Sequence, residues 1–162
     1  MISRMNNTTK TVKKFKTTAG KPADIQRNWW IVDAKDQILG RLATEVAQLL
    51  IGKGKPNYST NIDGGDYVIV INSKDIQITG RNKAKQKTYY RHSGFPGGLK
   101  EITFEKQMAK DPTFPIMAAV KNMLPKNKLQ NGRMLRLFVY SGDKHKHEAQ
   151  KPAVYKLSQK LA

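Results

Sequence analysis

The sequence contains no cysteine. Structural disulfides and zinc sites built on cysteine thiolates are therefore excluded, and the absence fits a reducing compartment. Acidic residues are scarce as well, because 12 Asp and Glu stand against 30 Lys and Arg, which gives a formal net charge of +18 at pH 7. An excess of positive charge on this scale is typical of proteins that bind nucleic acid.

Long apolar runs are also missing. No stretch approaches the roughly 20 residues that a membrane-spanning helix needs, and residues 1–28 lack the apolar centre of a secretory signal. We therefore expect a soluble protein that is not exported by that route. A helix lying on a membrane surface would set basic residues opposite a broad apolar face. No segment has that pattern, so nucleic acid is the better candidate partner.

The clearest structural signal is a strand followed by a helix and a second strand. Aromatic and β-branched residues at 29–34 predict the first strand, and apolar residues at helical spacing over 39–50 predict the helix. Two glycines and a proline at 52–56 end that helix. The apolar run at 66–72 predicts a strand buried on both faces, and 75–78 predicts a short third strand. With 162 residues, the chain is expected to form one α/β domain.

Charge is distributed unevenly along the chain. Residues 31–80 hold five Lys or Arg against six Asp or Glu, so this part is almost neutral. The flanks are basic: 1–23 contains no acidic residue, 81–110 has eight basic residues against two acidic ones, and 121–162 has ten against two. This segregation predicts that the neutral part holds the fold and that the basic flanks meet a polyphosphate.

We predict three regions: a basic extension at 1–23, an α/β domain at 24–155 and a short tail at 156–162. The extension is rich in Lys, Thr and Asn, a composition that cannot bury a core. It is compatible with a solvated tail, an organellar targeting segment or a tail that becomes ordered against RNA.

A glycine-rich loop follows the predicted sheet. Three glycines and a proline at 94–98 let the backbone approach another surface closely. Rings at Tyr89, Tyr90, His92 and Phe95 alternate with cations, an arrangement suited to unpaired bases and phosphates. Because neighbours on a strand face opposite ways, we expect one of the two tyrosines to cover the sheet instead.

The remaining segments predict two helices at 102–110 and 115–124, whose methionines we interpret as core residues. A short helix is expected to pass into a last strand within 133–140.

Two stretches resemble ligand sites but have the wrong spacing. Gly52–Lys55 follows a helix, whereas a phosphate-binding loop precedes one. His145 and His147 are two residues apart among lysines, which disfavours a metal site and favours RNA contact or plain surface. We therefore predict no metal and no cofactor.

The aspartates do not indicate a catalytic site either. Asp33 is expected to end a strand, while Asp63 and Asp66 are expected to flank the turn before the next one. No nucleophile stands with a base and an orienting partner, so no catalytic residue is predicted.

Several segments together resemble the bacterial-type large-subunit ribosomal protein L-thirteen family, in unbroken order over about residues 16–155. The matching segments are Trp30–Ala34 with Leu39–Thr44, Asp63 with Gly65–Val70, Tyr90–Gly94 with Pro96–Lys100, Met123–Lys126, Val139–Tyr140 with Gly142, and Ala149–Gln150 with Pro152. The resemblance implies a three-layer α/β/α single domain around a short, mostly parallel central sheet, with basic extended termini and loops.

The resemblance also implies a function. A structural constituent of the large ribosomal subunit would bind large-subunit ribosomal RNA, contact neighbouring ribosomal proteins and support early subunit assembly, without catalysis. Its place would be the cytoplasmic ribosome of a bacterium or an organellar ribosome. Carried over by position, the RNA-binding residues would be Arg41, Lys53, Lys55, Tyr58, Arg91, His92, Ser93, Gly94, Gly97, Gly98, Lys100, Lys126, Lys128, Arg133, His145, His147 and Gln150.

Two other functions stay open at this point. A basic regulator could bind messenger RNA outside the ribosome. A nucleotide-dependent enzyme could use the same α/β core, and it would require a pocket near Asp33, Gly40 and Asp66.

Overall fold

The structure is a computed structural model that describes Lys21, Ala23 and residues 25–157. Most of the extension predicted at 1–23, and residues 158–162 of the predicted tail, lie outside the described residues. In chain order, the elements are β1 (Trp29–Asp33), α1 (Leu39–Ile51), β2 (Tyr67–Ile71), α2 (Lys83–Gln86), β3 (Thr88–His92), β4 (Leu99–Thr103), α3 (Phe104–Lys110), α4 (Phe114–Met123), α5 (Leu129–Met134), β5 (Leu137–Val139) and β6 (Ala153–Val154).

A parallel sheet of four strands forms the centre of the domain, in the order β5-β2-β1-β6. In the central pair, Trp29 lies opposite Tyr67 and Asp33 lies opposite Ile71. β3 and β4 form a separate antiparallel hairpin. The predicted α/β class with a mostly parallel central sheet is confirmed.

The strand order decides which segments cover each face of the sheet. The chain moves from β1 to β2 to β5 in one direction and then returns past both strands to β6. Because such connections are right-handed, the first two crossovers lie on one face and the return segment at 140–152 lies on the other. The first face is covered by α1 and α4, which pack against each other. In the described part of the chain, the return segment contains no helix.

The main core lies between the sheet and the two helices. α1 buries one face, made of Leu39, Leu42, Ala43, Val46, Ala47 and Leu50. Val32 and Val68 of the sheet and Ile116 and Val120 of α4 are fully buried in the same cluster. The helix ends at Gly52, whose φ of 78° is left-handed and whose N–H bonds the carbonyls of Gln48 and Leu49.

The opposite face carries a cluster of aromatic rings. Trp29 stacks on Tyr67 with ring centroids 4.2 Å apart, and Phe138 lies 5.9 Å from Trp29. The return segment places His147 over this surface, with its ring 4.3 Å from Phe138 and 5.2 Å from Trp29. His147 therefore helps to cover the sheet, and Ile69 beneath this layer is fully buried.

Two sequence predictions were wrong in detail. The third strand expected at 75–78 is replaced by a 3₁₀ turn at Ser73–Asp75 and a single bridge between Gln77 and Ile38. Asn72, with a φ of 56°, turns the chain away from the sheet after β2. The helix expected from 102 begins only at Phe104, because the preceding residues pair with β3.

Candidate nucleic-acid interface

Lys53 and Lys55 follow the same helix, but their surroundings differ. Lys53 is exposed. Lys55 forms an ion pair with Asp66, and its Nζ also donates to the carbonyls of Gln26 at 2.7 Å and Gly64 at 3.0 Å. Three acceptors therefore hold this ammonium group, while 27% of the Lys55 side chain remains exposed.

Asp66 joins the start of both central strands. Its carboxylate accepts hydrogen bonds from the Asn28 backbone N–H at 2.9 Å and from Trp30 Nε1 at 3.0 Å. Only 6% of its side chain is exposed. A buried carboxylate needs such partners, because an unpaired one would carry a large desolvation cost.

Asp63 makes a second, partly buried ion pair. Arg136 binds it in bidentate fashion, with Nη1–Oδ2 and Nη2–Oδ1 distances of 2.5 and 2.7 Å. Arg133 adds a contact from Nε to Oδ1 at 3.3 Å, and only 2% of its side chain is exposed. Arg136 also donates to the carbonyl of Leu50 at the end of α1.

The pKa of Asp63 reflects these partners. Burial alone would raise the pKa, but hydrogen bonds and charge from Arg136, and then from Arg133, outweigh burial and hold the pKa below its ordinary value. Asp63 is therefore a permanent anion at neutral pH, matched by two buried guanidinium groups.

We call this arrangement the acidic anchor: Asp63 and Asp66 with their cations Lys55, Arg133 and Arg136. Two of the carried-over RNA-binding residues, Lys55 and Arg133, are held by these carboxylates, and their contact with RNA stays a prediction. The expectation that the two aspartates flank the turn before β2 is confirmed. Their cationic partners were missed, since Arg133 and Arg136 lie about 70 residues away in sequence.

The acidic anchor predicts opposite behaviour for two neighbouring lysines. Lys55→Ala should lower the free energy of unfolding by about 1–3 kcal/mol, because it leaves the buried Asp66 carboxylate without its cation. Lys53→Ala, at an exposed position, should change it by less than about 0.5 kcal/mol. Urea unfolding of both variants tests this, and equal losses would contradict the assignment of Lys55 to the interior.

The β3–β4 hairpin is exposed around its tip and carries two cations there. Arg91, His92 and Lys100 are all exposed, and Phe95 at the tip is 75% exposed. Tyr89 packs edge-on against Phe114 at 5.4 Å, while Tyr90 is 65% exposed. One of the two tyrosines is thus internal, as expected, although it covers α4 and not the sheet.

The tip of the hairpin is an ordered turn. Ser93 N–H donates to the Gly98 carbonyl, and Gly94 N–H donates to His92 Nδ1 at 3.0 Å. Gly94 and Gly97 have φ values of 92° and 71°, which favour glycine. A Cβ on Gly98 would lie 2.8 Å from the Phe95 carbonyl oxygen, so the backbone of the turn favours glycine at this position.

The other carried-over residues lie in several places. Arg41 is exposed on α1, Tyr58 is 39% exposed, and Lys126 and Lys128 are exposed between α4 and α5. Gln150 is exposed as well. His145 and His147 are half-buried, and His145 Nδ1 accepts the His147 N–H at 3.2 Å.

The carboxylates do not form a catalytic pair. Asp33 ends β1, whereas Asp66 precedes β2, and the two strands are parallel. They therefore lie at opposite ends of the sheet, about 16 Å apart for five residues of strand. A groove of about 380 Å³ beside Gly40 has a lining that includes Ile38, Leu39, Ile78 and Met123, and no carboxylate.

Among the described residues, no group of three or more His, Asp or Glu side chains is placed to hold a metal ion. No helix in that same part of the chain is long and apolar enough to cross a membrane.

Comparison with known proteins gives a consistent result. The profile of the family described as Ribosomal protein L13 matches residues 27–146. A "Large ribosomal subunit protein uL13" from Roseiflexus sp. is 52% identical over 141 residues, which cover 87% of this chain and 96% of the relative. The proteins of the same name from Pseudomonas putida and Thermobifida fusca are 52% and 50% identical, over 88% and 89% of this chain and 100% and 96% of their own lengths.

Proposed function

Because the chain belongs to the ribosomal protein L13 family, we propose that it is a structural constituent of the large ribosomal subunit that binds large-subunit ribosomal RNA and supports early subunit assembly. The family is a structural one without enzymatic activity. Because these relatives are bacterial, the proposed location is the cytoplasmic ribosome, where neighbouring large-subunit proteins would be further partners.

One observation about the surface carries the RNA-binding part of this proposal. Asp63 and Asp66 are neutralised within the domain, in the acidic anchor. The cations of the hairpin and of the α4–α5 connection are exposed. The positive charge that remains outside is therefore largely free to neutralise phosphates. The proposed RNA-contacting residues are Arg41, Lys53, Lys55, Tyr58, Arg91, His92, Ser93, Gly94, Gly97, Gly98, Lys100, Lys126, Lys128, Arg133, His145, His147 and Gln150.

The proposal includes the division of the chain into three regions. Residues 24–155 act as the RNA-binding domain, and the basic extension at 1–23 and the tail at 156–162 lie on either side of it. Residues 1–23 contain six basic side chains and no acidic one, which supports a role in RNA binding.

Crosslinking tests the function directly. The protein is crosslinked to RNA in its own cells and purified at high salt, and the attached RNA is sequenced. We expect reads concentrated in a few segments of large-subunit ribosomal RNA. Reads spread over unrelated messenger RNAs would favour the regulator instead, and the absence of attached RNA would overturn RNA binding.

A triple variant separates RNA contact from folding. Lys53, Lys126 and Lys128 changed together to Ala should reduce incorporation into large subunits, because three exposed cations are removed. The free energy of unfolding should change by less than about 0.5 kcal/mol for each substitution. Sucrose-gradient fractions measure incorporation, and urea unfolding is the control. Normal incorporation of the triple variant would show that these lysines are dispensable.

A further inference from the structure

The register of the β3–β4 hairpin sorts its side chains onto two faces. Arg91 pairs with Lys100 and Tyr89 pairs with Ile102, and these four residues share one face because side chains alternate along each strand. We call it the cationic face. Tyr90 pairs with Glu101 and His92 pairs with Leu99 on the opposite side. We call that side the ring face.

The cationic face contains an unfavourable pair. Arg91 and Lys100 are directly opposite each other, and like charges at such positions destabilise a hairpin. Neither residue forms a salt bridge within the described part of the chain. Both side chains are exposed. An anion lying between them would remove the repulsion and turn the pair into a binding site for phosphate.

The ring face has different chemistry. Tyr90 is 65% exposed and Leu99 is 54% exposed, so this face offers flat and apolar surface to a partner. Glu101, opposite Tyr90, is exposed and would repel a phosphate. An uncharged planar group such as a nucleobase suits a tyrosine ring beside a carboxylate, because stacking does not require a cation.

The hairpin is held rigidly at its base and at its tip. Tyr89 packs on Phe114, Lys87 Nζ lies 5.3 Å above the Tyr89 ring, and Phe104 N–H donates to the Lys87 carbonyl at 2.8 Å. The bonded turn between Ser93 and Gly98 fixes the tip. Both faces are therefore presented without ordering a flexible loop on binding, which lowers the entropic cost.

We infer that the hairpin is a two-sided RNA-binding element, in which Arg91 and Lys100 clamp a backbone phosphate on one face while Tyr90 stacks on an unpaired base on the other. This inference rests on the proposed function. It divides the loop residues by role: the cationic face supplies affinity that depends on salt, and the ring face supplies affinity that does not. It also adds Tyr90, which the family resemblance did not mark as RNA-binding.

Salt dependence separates the two roles. Binding of the full-length chain to large-subunit ribosomal RNA transcribed in vitro is measured between about 50 and 200 mM KCl. Each phosphate contact contributes about 0.7–0.9 to the slope of log K against log salt. Because the pair clamps a single phosphate, Arg91→Ala with Lys100→Ala should flatten the slope by about 0.7–0.9. Lys74→Ala, at an exposed position of the neutral part of the chain, is the matched control and should leave the slope unchanged.

Tyr90 is tested by a conservative pair of variants. Tyr90→Ala should weaken binding by about fivefold to a hundredfold with the slope unchanged, whereas Tyr90→Phe should bind normally because it keeps the ring. Circular dichroism melting confirms that each variant is folded. An unchanged slope in the double variant, or unchanged affinity in Tyr90→Ala, would overturn the two-sided assignment while wild-type binding stays intact. A wild-type chain that does not bind this RNA would overturn the proposed function itself, and this inference with it.

Discussion

Asp63→Ala is expected to lower the free energy of unfolding by about 3–5 kcal/mol, enough to unfold a marginally stable domain. Among the described residues, Asp63 is the only carboxylate that contacts both Arg133 and Arg136. The side chains of these two arginines are 2% and 6% exposed. Two buried guanidinium groups would then lack a counter-charge. The end of α1 would be destabilised as well, because Arg136 also donates a hydrogen bond to the Leu50 carbonyl.

Urea unfolding followed by circular dichroism measures this loss. Asp143→Ala is the matched control, since Asp143 is an exposed carboxylate and its removal should change stability by less than about 0.5 kcal/mol. A loss below about 1 kcal/mol for Asp63→Ala would mean that water enters the site and solvates the two arginines.

The same residue gives the domain a pH dependence with a defined sign. The pKa of Asp63 in the folded protein lies below its ordinary value of 3.8. The contribution of the ionised Asp63 to the free energy of unfolding is therefore fully present above pH 3.8. It is lost as the pH falls through the lowered pKa of the folded state. Asp63→Asn cannot titrate, so its stability deficit relative to wild type should shrink on acidification below that range. A deficit that is constant down to the acid transition would contradict the ionised pair.

Gly65→Ala is expected to be the second severe substitution, with a loss of about 3 kcal/mol. A Cβ at this position would lie 1.8 Å from the Leu50 carbonyl oxygen and 3.2 Å from Arg136 Nη2. Both neighbours are fixed, because one is helix backbone and the other binds Asp63. The loop would have to move away from α1, and the acidic anchor would open with it.

Gly64→Ala provides the control one residue earlier. A Cβ there would meet nothing within 4 Å. Its melting temperature should stay close to that of the wild type, whereas Gly65→Ala should melt far lower. Equal melting temperatures for the two variants would show that the contact with Leu50 relaxes without cost.

The elements that the sequence predicts best are those with a strong local pattern. α1 has one apolar face at helical spacing and was predicted within one residue at its end. β1 and β2 are apolar runs enclosed on both sides. By contrast, β6 has only two residues, Ala153–Val154, and it exists because β1 offers an edge more than a hundred residues away in sequence. Such non-local pairing leaves no periodic signal.

For the candidate site, the sequence predicts the positive charge but not which of the charged side chains face solvent. Lys53 and Lys55 are two residues apart and have the same composition around them, yet one faces solvent and the other is held by Asp66. Only the position of the loop relative to β2 distinguishes them. The two faces of the hairpin were missed for a related reason, since β4 was interpreted as loop and helix, and without the register Arg91 and Lys100 have no common side.

The pairing of β6 with β1 also has a consequence for the growing polypeptide. Trp30 pairs with Ala153, so the outer edge of β1 lacks its partner until 123 further residues have been made. At synthesis rates of about 5–20 residues per second, that interval is roughly 6–25 s. During this time, a strand containing two tryptophans presents unpaired backbone groups to any nearby extended chain. A nascent protein of this fold therefore passes through a period of exposure to misassembly that its finished form no longer has.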